Sequence, residues 1–385
     1  MSILKESAIE DALRYGRVIM KFISPNDVGI TGSHQCGFYL PLSAAYMYTP
    51  YAPKKGENRD HEVVVIWPDR ITESKVKWYG NKTRFEYRLT CFGKDFPYLI
   101  SDTVGDLLVI IPKTKSEFIA YVLDNEDDID EIIATLGVTP FDHWAVYDKN
   151  KPVIENENEC MEKKIAEFLR KVSSFPTGDQ FSQKTREILQ HCSKNILKQS
   201  CDDALLSYYQ TEYRIYQCVE RQICQPEVAR VFKDVDDFLK TAASIMNRRK
   251  SRAGRSLENH VDHILSDFNL QHKMQPKIDG KPDIIIPDEK AYYNSKYPKD
   301  KIFIVGIKTT CKDRWRQVLN EGKKIKKKYI LTLQPSISSN QLIEMHKANV
   351  SLIIPKKLQR NYPKNTEMEI LELSKFIDLA KHSMR

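Results

Sequence analysis

The sequence predicts a two-domain protein, a β-rich, barrel-like N-terminal unit followed by a C-terminal α/β unit, and three observations carry that expectation. Over the first 130 or so residues the apolar segments are short and broken by turns. Residues 181–246 keep a helical period, and from Asp283 onward β-branched runs alternate with helical patterning. A chain of 385 residues is long enough for two cores.

In order, a helix is expected near Ser7 to Arg14, then strands at Gly37 to Leu40, Val63 to Trp67, Phe85 to Phe92 and Leu107 to Ile111. On an extended strand Lys82, Arg84, Glu86 and Arg88 alternate with Thr83, Phe85 and Tyr87, so the four polar groups share one face. Such a face suits DNA, although a solvent-facing strand of mixed charge has the same pattern. Asp124 to Glu131 is acidic and begins an exposed helix. Composition and period change over residues 151–172, which contain Pro152 and read as a hinge between domains 1–150 and 173–385.

In the second domain Tyr208, Tyr209, Tyr213 and Tyr216 crowd a helical stretch and read as packing. Gly254 or Ser256 opens a helix with Leu257, Val261, Leu265 and Phe268 on its buried face, placing Glu258 in the first turn, where an acid is favoured anyway. His260 and His263 complete no zinc pattern. Ile284-Ile285-Ile286, closed by Pro287, reads as a buried strand with Asp283 at its entrance, and Ile302 to Ile307 delivers Lys308 at the end of the next. Residues 288–300 read as a loop. From Asp313 the period becomes helical, with Trp315, Val318, Leu319, Gly322 and Ile325 on one face and Glu321 at its edge.

Asp283, Lys308 and Glu321 can thus converge. Phosphodiester hydrolysis needs an activated water and a neutralised phosphorane, and Mg²⁺ is held for that purpose by one or two carboxylates plus substrate phosphate. Asp283 and Glu321 are the expected ligands, and Lys308 the group that holds or deprotonates the water. Taken alone, a Pro-Asp turn with a downstream lysine has a bland explanation.

Composition fits a DNA partner. The net charge is +8, and residues 301–330 hold ten basic and two acidic side chains. Lys323, Lys324, Lys326, Lys327 and Lys328 also fit a solvated helix end. Lys312-Asp313-Arg314 is more specific, since Lys and Arg match guanine acceptors and Asp accepts from the cytosine amino group. Eight cysteines without a CxxC pair argue against a zinc module or a disulfide framework and favour a reducing cytoplasm. The apolar runs are too short for a membrane span, and the charged N-terminus is no signal peptide.

Two segments, Asn247 to Glu258 and Val305 to Gln317, resemble the catalytic domain of the EcoRII-type restriction endonucleases, a branch of the PD-(D/E)XK nucleases. In that branch the acid two residues before the lysine is missing and a glutamate on the next helix replaces it. Here Gly306 occupies the acid's place and Glu321 follows Lys308 by thirteen residues. The resemblance implies a mixed central sheet flanked by helices, Asp283, Lys308 and Glu321 as catalytic, Glu258 as an accessory acid, and Lys312, Asp313 and Arg314 as readers of G·C pairs. Phe175 to Gly178 resembles the opening of that domain.

Thr31 to Pro41 and Asn81 to Arg88 resemble the effector-DNA-binding domain of the same type, a pseudobarrel similar to a plant transcription-factor domain. That implies His34, Tyr39, Lys82, Arg84, Glu86 and Arg88 in an effector-DNA cleft. Tyr87 stands where a basic residue is expected, which bears on the recognised sequence.

The reading is a Mg²⁺-dependent, sequence-specific endonuclease cutting both strands of duplex DNA. The resemblance adds short C/G-flanked sites, 5′-phosphate ends, activation by a second DNA site at the N-terminal domain, and a companion methyltransferase protecting host DNA. Cutting a symmetric site calls for a two-fold dimer, expected through the C-terminal domain. A structure-directed repair nuclease is opposed by the Lys312-Asp313-Arg314 group. A non-catalytic DNA-binding regulator is opposed by the intact Asp283, Lys308 and Glu321.

Overall fold

The computed structural model describes residues 3–31, 36–81, 84–140, 144–150, 159–193, 200–363 and 367–384. His34 and Lys82, both expected in the effector cleft, lie outside these residues. Contacts divide the chain into two compact units, one of residues 1–151 with 335–342 and 361–366, the other of 152–334 with 343–360 and 367–385.

The first unit opens with α1 (Ile3–Tyr15) and continues as β1 (Arg17–Phe22), β2 (Phe38–Leu40), α2 (Ala45–Tyr48), β3 (Asn58–Ile66), β4 (Ile71–Tyr79), β5 (Glu86–Thr90), β6 (Leu107–Pro112), β7 (Glu117–Leu123), α3 (Glu126–Leu136) and β8 (Ala145–Asp148). The eight strands form one sheet in the order β2-β5-β4-β3-β7-β6-β1-β8, antiparallel except for the β3–β7 pair. Its two edge strands approach through side chains: Tyr39 on β2 has its ring 6.2 Å from that of Trp144, and the Tyr46 hydroxyl donates to Asp148 of β8 at 2.8 Å. The sheet therefore curls around an interior of Phe38, Trp67, Leu89, Phe92 and Phe118, while α1 and α3 cover a second core formed by Val18, Met20, Val109 and Ile111. Period-two burial makes β4 a half-buried strand, and β6 is buried on both faces. The acidic stretch is α3, capped by Asn125, whose side chain accepts from the Asp127 and Asp128 amides.

In the second unit α4 (Glu159–Leu169) occupies much of the segment expected as a hinge; its Met161 and Ile165 are buried, so this stretch is a packed helix. Cys160 is disulfide-bonded to Cys192 of α5 (Gly178–Cys192), a pairing not expected from cysteines read as arguing against a disulfide framework. A Thr177–Gln180 capping box starts α5. There follow α6 (Cys201–Ala229), α7 (Val235–Asp267), β9 (Lys273–Met274), β10 (Ile284–Ile286), α8 (Glu289–Tyr293), β11 (Phe303–Lys308), β12 (Lys328–Thr332), α9 (Ser339–Lys347), β13 (Val350–Ile353), α10 (Lys356–Gln359), β14 (Ile370–Leu371) and α11 (Leu373–Met384). The strands order as β14-β13-β12-β11-β10-β9, antiparallel from β9 to β11 and parallel from β11 to β14. This is the expected mixed sheet, with α8 in place of part of the expected loop. Helix α7 starts at the Asp234 cap, twenty residues before the expected opening, because a solvent-facing Gly254 costs a helix only about 1 kcal/mol. Glu258 is therefore a mid-helix residue.

Candidate active site

Asp283 enters β10 and Lys308 ends the antiparallel neighbour β11, a pairing that brings the two side chains to one end of the sheet. Asp283 Oδ2 accepts from the Ile307 amide at 2.6 Å and from Lys308 Nζ at 3.1 Å. One carboxylate oxygen is thus fixed by a backbone donor and an ammonium, while most of the carboxylate stays shielded from solvent.

Gly306 shows why the acid came from elsewhere. A Cβ on Gly306 would stand 3.8 Å from Glu321 Oε2 and 3.9 Å from Asp283 Oδ2, so the absent side chain leaves the space between the two carboxylates. Glu321 reaches it from a different carrier than expected. Arg314–Asn320 is a 3-10 helix, and Glu321 is the extended residue after it, not part of an α-helix. The helix stops because Gly322 turns to φ +52° and its amide is taken by the Asp279 carbonyl at 2.8 Å.

The turn bearing Glu321 is held from three sides. The Asp279 carboxylate accepts from the Lys323 amide at 2.7 Å and from the Tyr292 hydroxyl. Gly280 lies against Asn320 and Glu321 so closely that a Cβ there would meet the Asn320 carbonyl at 2.2 Å. Buried Lys328 donates to the carbonyls of Gly322, at 2.7 Å, and Ile325. Burial pulls the Lys328 ammonium down to about 8, and this lysine anchors the turn, in contrast to the solvated run expected for residues 323–328. Lys324 lies over the rings of Tyr292 and Tyr293, and Lys327 pairs with Glu369 at 2.6 Å.

Glu321 is itself 7% exposed, and among the described residues its Oε2 accepts no hydrogen bond. Burial pushes its carboxyl up to about 7; Lys308 opposes that rise and Asp283 adds to it. A half-buried third acid stands nearby. Glu258 is raised first by burial and then by the charge of Asp283. Gln275 joins the two, its side-chain amide donating to Glu258 Oε2 at 3.2 Å and to Asp283 Oδ1 at 3.3 Å, with its backbone amide on the Asp283 carbonyl at 2.8 Å. Gln275 carries no signal in the sequence beyond its position, eight residues before Asp283 in the bend that follows β9. His260 is fully buried with Nε2 2.9 Å from Glu212 Oε2, and burial lowers it, consistent with a core histidine.

Lys312 and Asp313 fall on the bend leading into the 3-10 helix and Arg314 is its first residue, four to six residues beyond Lys308, and Asp313 is exposed. They adjoin the acid cluster in sequence without belonging to it. In the first unit Glu86 and Arg88 lie on β5, but Arg84 precedes the strand. Tyr39 is the register partner of Arg88. Arg88 is buried, donating through Nε to Glu86 Oε1 at 3.0 Å and through Nη1 to the Gly37 carbonyl at 3.4 Å, so the expected single exposed polar face is broken: among its described members Arg84 is exposed, Glu86 half-buried and Arg88 buried.

No cluster of three or more His, Cys, Asp or Glu side chains forms a preassembled metal cage among the described residues. The carboxylate pair nevertheless fits a hard divalent cation: two oxygens face the gap at Gly306, one of them buried without a donor. No helix among the described residues is long and apolar enough to cross a membrane.

Residues 13–149 match the family described as restriction endonuclease EcoRII, N-terminal, and residues 216–377 match EcoRII C terminal. The chain is 30% identical, over 98% of its length and 97% of the relative's, to the type II restriction enzyme EcoRII of Escherichia coli. Among solved structures it is similar to metal-depleted Ecl18kI in complex with uncleaved, modified DNA (20% identity, 58% of this chain, 83% of that chain, TM-score 0.47). It is also similar to a restriction endonuclease PspGI–substrate DNA complex (14% identity, 61% and 99%, TM-score 0.45). Matched by both family domains and by a relative along nearly its whole length, the chain belongs to the EcoRII-type restriction endonucleases.

Proposed function

We propose that this site-specific deoxyribonuclease hydrolyses both strands of duplex DNA with Mg²⁺ at a short C/G-flanked site, as the nuclease of a restriction-modification system. The observation that carries the reading is the pair formed by Asp283 and Glu321 around the gap at Gly306, with Lys308 3.1 Å from Asp283. Asp283 and Glu321 hold the metal, and Glu258 supports Asp283 through Gln275. A divalent ion held there would supply Lewis-acid activation of a water and neutralise charge on the phosphate. Lys308 orients that water against the scissile phosphorus. The water oxygen bonds to phosphorus as the bond to the 3′ oxygen breaks, and the proton the water gives up reaches the departing 3′ oxygen through solvent, leaving a 5′-phosphate and a 3′-hydroxyl. Lys312, Asp313 and Arg314 read base edges beside the reacting strand.

The N-terminal unit binds a second copy of the site with His34, Tyr39, Lys82, Arg84 and Glu86, with buried Arg88 holding Glu86 in place, and thereby activates cleavage. This is allostery between two DNA sites. Two chains act on one two-fold symmetric site, and a methyltransferase of matching specificity protects host DNA. The test is to incubate the protein with unmethylated genomic DNA in Mg²⁺ or EDTA and sequence the ends. Mg²⁺-dependent 5′-phosphate ends sharing one short motif are expected. Ends without a common motif, or cleavage that persists in EDTA, overturn the reading.

A further inference from the structure

The chain that leaves α7 turns back along it. Asn269 stands at φ +53°, its amide donates to the Ser266 carbonyl and the Leu270 amide donates to the Leu265 carbonyl, both at 2.9 Å. This left-handed closure ends the helix and starts the return toward β9. On the return two side chains reach α7: His272 Nε2 lies 2.9 Å from Asp262 Oδ1, and Gln275 donates to Glu258 Oε2 at 3.2 Å. Asp262 follows Glu258 by four residues, so both occupy one face of α7, and His272 and Gln275 meet that face as two rungs.

The outer rung is an ion pair. His272 Nδ1 also lies 2.7 Å from the Leu270 carbonyl oxygen, so each ring nitrogen faces an oxygen that can only accept, and both must carry a proton. Burial disfavours the charged ring, but Asp262 and the Leu270 carbonyl outweigh it and hold His272 above the ordinary histidine range. Asp262 is held below its usual range by His272 first, with Arg186 of α5 and His263 of α7 adding to the effect. The inner rung is under constraint: Gln275 stands at φ +45°, where a non-glycine residue is rarely found, so its place depends on what holds the residues around it.

We infer that His272 is a positioning residue for cleavage: clamped as an imidazolium between Asp262 and the Leu270 carbonyl, it fixes the stretch that carries Gln275 and keeps the Gln275 amide shared between Glu258 and Asp283. Without the outer rung Gln275 relaxes from its left-handed backbone, and the two acids lose their common donor. A neutral ring has a hydrogen for only one of the two oxygens, so the clamp is complete only in the protonated form. The inference rests on the reading that Glu258 supports Asp283 through Gln275, and adds what holds Gln275 there.

Single-turnover cleavage of duplex DNA in Mg²⁺ by the full chain tests it, comparing wild type, H272A, D262A, Q275A and H272A/Q275A over a range of roughly pH 6 to 9 that spans histidine titration. At the acid end H272A and D262A are each expected to slow cleavage by about 10-fold or more. The wild-type advantage over H272A should shrink toward one as pH rises and His272 loses its proton. In the Q275A background H272A should cost nothing further, since one residue acts through the other. In metal-free protein labelled with nitrogen-15 histidine, the resonance missing from H272A should show both ring nitrogens protonated at neutral pH. Asp262 is 51% exposed in its side chain, so D262A keeps the test open should H272A fail to fold. Wild-type rates in H272A and D262A, additive losses with Q275A, a pH-independent ratio or a neutral ring each overturn the inference. Cleavage that Q275A slows but H272A and D262A leave unchanged sinks this inference alone, whereas Q275A and E258Q cutting at the wild-type rate, or a wild-type chain that does not cut, sink the reading beneath it as well.

Discussion

Two of the buried acids, Asp27 in the first unit and Glu321 in the second, are treated in opposite ways. Asp27 in the first unit is 1% exposed and accepts from Lys21 Nζ, the Ser24 amide and hydroxyl and the Tyr39 amide, all between 2.7 and 3.1 Å. Burial alone would raise it, but Lys21 and Ser24 outweigh burial and hold the carboxyl below its usual range. Glu321 in the second unit is nearly as buried, yet one oxygen has no donor and its neighbours include Asp283 and, through Gln275, Glu258. A saturated buried acid is architecture. An unsaturated one beside another carboxylate has the arrangement a cation site requires, because a cation offsets the cost of crowding acids.

The largest effect that would break this contrast is catalytic. Asp283→Ala, Lys308→Ala and Glu321→Ala are each expected to lower the cleavage rate by roughly 1,000-fold or more while specific DNA binding in Ca²⁺ persists. Full activity in any one variant removes that residue from the site, as single-turnover cleavage would show.

Next comes the saturated acid. Asp27→Asn leaves Lys21 buried without its counter-charge and should cost about 3–5 kcal/mol, read by urea unfolding. Three of the four tryptophans, Trp67, Trp78 and Trp144, lie in the first unit, so its unfolding dominates the fluorescence change. A loss below about 1 kcal/mol would make the Lys21–Asp27 pair an ordinary surface-grade interaction.

The smallest effect sharpens the comparison through pH. Glu321 titrates near 7 in the folded chain against 4.5 when unperturbed, so the folded state holds its proton longer than the unfolded one. Its contribution to stability is complete below about 4.5 and is lost as pH rises through about 7, a total of up to about 3 kcal/mol. In EDTA, Glu321→Gln should flatten that decline between pH 5 and 7. An unchanged slope would show that Glu321 is compensated after all.

Much of the site was legible because its carriers announce themselves locally. The Ile284 to Ile286 run and the Ile302 to Ile307 run were both strands, and strand geometry alone fixes Asp283 and Lys308 at the same end of an antiparallel pair. The Glu321 carrier was misread as an α-helix, since a three- to four-residue apolar spacing does not distinguish one from a 3-10 turn followed by Gly322 at positive φ. Gln275 escaped because a neutral amide carries no composition signal. Arg88 was expected to face DNA directly, but its burial with Glu86 depends on the curl of an eight-stranded sheet, four of whose strands (β1, β4, β7 and β8) the apolar pattern had not revealed.

By itself the sequence determined the division into a β-rich and an α/β unit, the strand-borne aspartate and lysine, the basic C-terminal segment and the missing acid at Gly306. These follow from period and composition, which act over a few residues. The packed fold alone set the 3-10 turn that carries Glu321, which lysine of the basic run is buried beneath it, and which acids remain unsatisfied. Those outcomes depend on burial and on donors brought from far along the chain, such as Asp279 on the Glu321 turn and Gln275 between two carboxylates. A charge in water costs little wherever it sits, and only the packed interior makes its partners decisive.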